Sequence, residues 1–64
     1  MSNKKEVELW LEVVKYTEKA FYLSDGSKEA WVPKSQLRYT EKPLEGDAIA
    51  FIMPEWIAVD KGFV

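Results

Sequence analysis

Between Val7 and Val13 an apolar side chain falls on every second residue (Val7, Leu9, Leu11, Val13), with Glu6, Glu8, Trp10 and Glu12 in the alternate positions. A period of two over this length is out of phase with a helix. It predicts a half-buried strand with its aliphatic side on a core and its glutamates in water. Trp10 is the exception on the wet face. Either a neighbouring element covers it, or it is an anchor for a partner, since tryptophan is enriched at interface hot spots.

The polar run Tyr16-Thr17-Glu18-Lys19 breaks the alternation and predicts a turn. Ala20-Phe21-Tyr22-Leu23 comes next, a second strand rich in aromatic β-formers. Asp25-Gly26 between apolar runs is a strong hairpin signal, so Glu29–Val32 is expected to return antiparallel. In the stretch 30–37, AWVPKSQL, Pro33 lacks an amide hydrogen and cannot continue a central ladder. Ser35 suits a tight turn, and Leu37 points inward again. The sequence Val32-Pro33-x-Ser35-x-Leu37 predicts strand, one 3₁₀-like turn, strand, and resembles the late-strand turn of SH3 domains. The likeness is one of turn mechanics, because the acidic loop and paired tryptophans that grip polyproline have no counterpart.

Residues 40–47, TEKPLEGD, read as a loop, and Ala48–Met53 is a continuous apolar run that fits a central strand. Helix signals bracket residues 54–62: Pro54 and Glu55 at the start, Lys61 and Gly62 at the end. Spacings of three and four predict that Trp56, Val59 and Phe63 form its inward face, with Ile57 beside them. The expected fold is mainly β: a small SH3-like or OB-like barrel of four to five antiparallel strands with a short C-terminal helix. Residues 1–64 are expected to form one domain, with residues 1–5 expected to be flexible.

A chain of 64 residues exposes much of its surface even when folded, so burial and chain entropy nearly balance. Without cysteine no disulfide helps, and without histidine as well a structural zinc site is not expected. Nine aromatic residues (three each of Trp, Tyr and Phe) are the remaining means of filling a core. The same absences remove the usual general base and the most nucleophilic side chain. The serines fall in turns and the glutamates of the first strand read as a solvated face. We therefore expect no enzyme, no metal and no cofactor.

Two clusters resemble a known group. Trp31-Val32-Pro33-Lys34-Ser35-Gln36 after an Asp-Gly hairpin, with Pro54-Glu55-Trp56-Ile57-Ala58 and then Lys61-Gly62, is similar to small proteins encoded in bacteriophage and prophage genomes. The likeness spans about residues 19 to 63. It implies a phage-type accessory protein inside a bacterial cell and brings no catalytic motif.

The formal net charge is −2, which speaks against a strong non-specific nucleic-acid binder. The middle third is mildly basic: Lys15, Lys19, Lys28, Lys34, Arg38 and Lys42 outnumber Glu18, Asp25, Glu29 and Glu41. There, aromatic and basic residues interleave. Barrels of this kind bind single strands by stacking bases on exposed aromatics while cations track phosphates. Lys19, Tyr22, Lys28, Trp31, Lys34, Gln36 and Arg38 are the candidate site for single-stranded nucleic acid or a partner, against the plainer reading that the aromatics are core. A second reading makes the chain an interaction module for a host or phage protein, with Trp10, or Trp56 on the helix, its anchor, and a third is a homodimer through an edge strand. No apolar run approaches a membrane span and the first residues carry no signal-peptide core, so a cytoplasmic protein without a membrane partner is expected.

Overall fold

The computed structural model describes residues 5–64. The flexibility expected for residues 1–4 concerns residues outside that range. The alternating segment forms β1 (Glu6–Tyr16), and after it come β2 (Ala20–Ser24), β3 (Glu29–Pro33), a 3₁₀ turn (Lys34–Gln36), β4 (Ala48–Pro54) and α1 (Glu55–Asp60). The four strands make one open antiparallel sheet in the order β3-β2-β1-β4. The Lys5 carbonyl accepts the Glu55 N–H at 2.8 Å.

The two hairpin turns close through polar residues that flag them in the sequence. Ser35 makes no such bond, and the 3₁₀ turn closes by the Leu37 N–H donating to the Lys34 carbonyl at 3.1 Å. Thr17 Oγ1 accepts the Ala20 N–H at 3.2 Å, and the Thr17 N–H donates to the Ala20 carbonyl at 2.8 Å. In the β2–β3 hairpin, Asp25 Oδ1 accepts the N–H groups of Ser27 and Lys28 at 2.8 and 2.7 Å. Gly26 turns the chain with φ of 99°, a left-handed conformation that a side chain would oppose. Backbone donors prefer the charged carboxylate, so those from Lys28 and then Ser27 hold Asp25 below its usual carboxylate value.

β1 serves two neighbours. Its first half pairs with β4, from Glu6↔Pro54 to Glu12↔Ala48, and its second half with β2, from Glu12↔Ser24 to Tyr16↔Phe21. Val13 faces Leu23 while Lys15 faces Tyr22, so Val14 is an extra residue on β1. This bulge reverses the facing of the residues beyond it. Lys15, which strict alternation would send inward after Val13, goes to the outer face, and Tyr16 turns to lie edge-on to Phe21 with ring centres 6.0 Å apart.

The inner face carries Leu11, Val13, Phe21, Leu23, Val32, Ile49, Phe51 and Met53, all buried. Leu37 joins them after the 3₁₀ turn. Beyond Leu37 the expected further strand is a single antiparallel bridge, Arg38↔Ile52, on the outer edge of β4. This bridge fixes the curvature of the sheet. Laid flat, four strand spacings of about 4.8 Å would put β3 about 19 Å from the Arg38 position. The chain between Pro33 and Arg38, mostly one 3₁₀ turn, spans only about 13 Å. The sheet therefore curls around its apolar side. Among the described residues no ladder joins β3 to β4, and the sheet stays open along that seam.

The helix closes one end, on a different face from the expected one. Ile57, Ala58 and Phe63 enter the core, while Trp56 and Val59 are exposed. Gly62, with φ of 84°, ends the helical spacing before Phe63, so counting threes and fours from Trp56 to Phe63 does not apply. Pro54 stands just outside the helix as its N-terminal cap residue, with φ of −59° and ψ of 140°.

Candidate functional site

Five of the eight sequence candidates divide among three places. The first is the outer face of the hairpin. Tyr22 and Trp31 are cross-strand partners whose ring centres lie 5.0 Å apart. Lys15 reaches over both, its Nζ 5.3 Å from the Tyr22 ring centre and 5.9 Å from that of Trp31. Trp31 remains 40% exposed and Tyr22 is half-buried. A hydrogen bond to Glu29 raises the Tyr22 phenol above its ordinary value, helped by partial desolvation and the carboxylate's charge. The cation here is thus Lys15, which the sequence reading did not select. Its signal was present: apolar residues hold odd positions through Val13 and then move to Val14 and Tyr16, the phase slip of a bulge.

The second place is the open seam of the sheet. Lys34 Nζ lies 4.8 Å from the Phe21 ring centre and 5.3 Å from that of Tyr16. Tyr39 is edge-on to Phe21 and Phe51 at 5.8 and 5.6 Å. These rings pack edge-on in one cluster, and Lys34 lies over two of them, so its cation is engaged with aromatics that adjoin the core. The 3₁₀ turn sets this position: the Lys34 N–H donates to the Lys19 carbonyl at 2.8 Å, which anchors the corner to the β1–β2 turn.

The third place is a groove of about 530 Å³ between the 3₁₀ turn and the β4–α1 junction. Gln36 and Arg38 line it together with Ser35, Pro54, Trp56 and the ion-paired residues Lys5, Glu6 and Glu55. Arg38 pairs with Glu6, and Lys5 lies 4.0 Å from Glu55, so the walls are charge-balanced. Trp56 is 68% exposed at its edge. Of this lining the sequence reading selected Gln36 and Arg38; it placed Trp56 in the core by its spacing and also named it as an alternative anchor.

Lys19 and Lys28 join none of these groups. Lys19 is exposed in the β1–β2 turn. Lys28 lies against the end of α1, where a Cβ on Gly62 would sit 3.6 Å from its Nζ. A cation is favoured there by the negative end of the helix dipole. Trp10 stands apart on the outer face of β1, opposite Ala50, and is 67% exposed, with no element over it.

Among the described residues no cluster of acidic side chains could hold a metal ion, and no helix is long and apolar enough to cross a membrane. The fold and these surfaces define a class: a small, mainly β protein with one curled antiparallel sheet, a C-terminal helix and tryptophans on its outside. No family model, curated protein or solved structure matches this chain.

Proposed function

We propose that this chain is a non-enzymatic interaction module, a phage-type accessory protein of the bacterial cytoplasm that binds a protein partner. In this reading the curled sheet is a small barrel of the SH3-like kind rather than the OB-like kind. The 3₁₀ turn leading from β3 to the Arg38↔Ile52 bridge supports that choice. One observation carries the functional reading: Trp10 and Trp56, two of the largest apolar side chains, are each about two-thirds exposed on regular elements. Tryptophan supplies a large contact area at low entropic cost and dominates interface energetics. Affinity capture from bacterial lysate tests it. The parent chain retains a stoichiometric protein, and Trp10→Ala or Trp56→Ala loses it. Retention of that protein by both variants, or its absence with the parent, would count against the module.

The Lys15–Tyr22–Trp31 group favours a second reading, single-stranded nucleic acid stacked on Trp31. Three features weigh against it. Tyr22 and Trp31 already pack on one another, Glu29 adjoins Tyr22, and Lys28, Lys34 and Arg38 each lie elsewhere. Salt-sensitive quenching of tryptophan fluorescence by oligo-dT would reverse this ranking.

A further inference from the structure

Trp10 is the more exposed of the two tryptophans that stand in the middle of a strand, 67% against 40% for Trp31. Its cross-strand neighbour is Ala50, and Ala48 lies opposite Glu12, so the ground beside the ring is low. Toward that side a molecule can reach the ring without displacing any side chain. On the same face, two residues before and after, stand Glu8 and Glu12, both exposed. Strand geometry sets each about 7 Å from Trp10 along β1. The ion pairs among the described residues are Lys5–Glu55, Arg38–Glu6 and Lys61–Asp60, and none of them engages Glu8 or Glu12. The aromatic groups elsewhere are different: Tyr22 and Trp31 have Lys15, Tyr16 and Phe21 have Lys34. Trp10 combines an open ring face, unpaired flanking negative charge and no cation from the described chain, whereas exposed Trp56 lines a groove whose charges, Lys5–Glu55 and Arg38–Glu6, are already paired.

We infer that this face docks an extended, lysine- or arginine-bearing segment of the protein partner. One cation of the segment sits over the Trp10 ring and its neighbours on the same side meet Glu8 and Glu12. The chemistry is one of complementarity. A ring quadrupole attracts a cation, and the attraction grows as the contact is desolvated. In an extended segment, alternate side chains recur every 7 Å or so on one side, the spacing of the Glu8–Trp10–Glu12 row. Phosphates are repelled by the same two carboxylates, so nucleic acid is excluded from this face even if it binds at Trp31. The inference rests on the interaction-module reading and adds the partner's charge and the place where it is read.

The test uses the full chain and two octapeptides, one alternating Lys and Ala and one alternating Glu and Ala, monitored through the three indole N–H signals in ¹⁵N–¹H NMR spectra. The lysine peptide shifts the Trp10 signal in a saturable, salt-sensitive way and leaves those of Trp31 and Trp56 in place; the glutamate peptide shifts none. Glu8→Gln with Glu12→Gln weakens the binding about tenfold, whereas Glu18→Gln with Glu41→Gln, which removes equal charge from the exposed β1–β2 turn and the 40–47 loop, does not. A stationary Trp10 signal, or equal weakening by the two charge-neutral pairs, overturns the inference. If Trp10 fails to respond but a lysate partner is lost with Trp56→Ala, the module stands and this face is not its basic-segment site. If no partner is captured either, both readings fall.

Discussion

Asp25 shows how an exposed residue can hold a turn. Its carboxylate takes two backbone N–H donors that the reversing chain leaves without partners, and its proton affinity falls as a result. That depression gives the pH dependence a definite sign. Because the folded-state value is lowered, the stabilisation is complete above the unfolded value near pH 4 and is lost as the pH falls through the lower folded value. Asp25→Asn keeps an oxygen acceptor and removes the charge. Its urea midpoint should lie below the parent's at neutral pH, with the two converging under acid conditions. A gap that persists unchanged to low pH would show that Asp25 acts only by shape. Tyr22 carries the opposite dependence: with its folded value raised, its contribution is full below the unfolded phenol value of about 10 and fades as the pH climbs through the folded one.

At the scale of elements, α1 has six residues and depends on how it ends. The Gly62 N–H donates to the Val59 carbonyl at 3.1 Å, and the Phe63 N–H to the Ala58 carbonyl at 2.9 Å, the two bonds of a Schellman motif. Gly62 sits at φ of 84°, and the motif turns Phe63 back into the core beside Ile57 and Ala58. Gly62→Ala should cost about 1–2 kcal/mol from backbone strain alone, since the space for a Cβ is ordinary contact distance from Lys28. Chemical denaturation measures it, and an unchanged midpoint would mean that the last turn contributes nothing to the fold. Element existence was legible in the sequence because local chemistry sets it: the alternation of Val7–Val13, the Asp25-Gly26 reversal, the Pro33 corner, and Pro54 and Gly62 around the helix. The phase of the elements was harder to read. Trp56 and Val59 form one stripe and Ile57 and Ala58 another, and only packing against the sheet selects the second. The Val14 bulge likewise exchanges the faces of Lys15 and Tyr16, which is why the cation beside Trp31 is Lys15 and not Lys28. The Trp56 groove was the least legible part, because residues from 5 to 56 line it and nothing local brings them together.

For the molecule as a whole, the aromatics separate by type. Phe21, Phe51 and Phe63 are all buried, while none of the three tryptophans is. Nine aromatic residues therefore do not all substitute for a missing disulfide. Three of them do, with aliphatic residues and Met53 supplying the rest of the interior. The stability of a chain this size is about 3–10 kcal/mol, so one core residue can decide whether it folds. Phe51 has no exposed surface and packs on Phe21 and Tyr39 across the seam of the sheet. Phe51→Ala should cost about 3–5 kcal/mol, enough to leave much of the population unfolded at room temperature. Trp10→Ala and Trp56→Ala remove larger side chains, yet each should stay within about 0.5 kcal/mol of the parent, because little of either is withdrawn from water. Denaturation midpoints of the three variants compare these claims directly. A loss at Trp10 or Trp56 comparable to that at Phe51 would assign those rings to the fold and remove the reason to look for a partner on the outside. The expected separation, a core held by phenylalanine and a surface bearing tryptophan that stability does not require, is what permits the surface to be read as a place of binding.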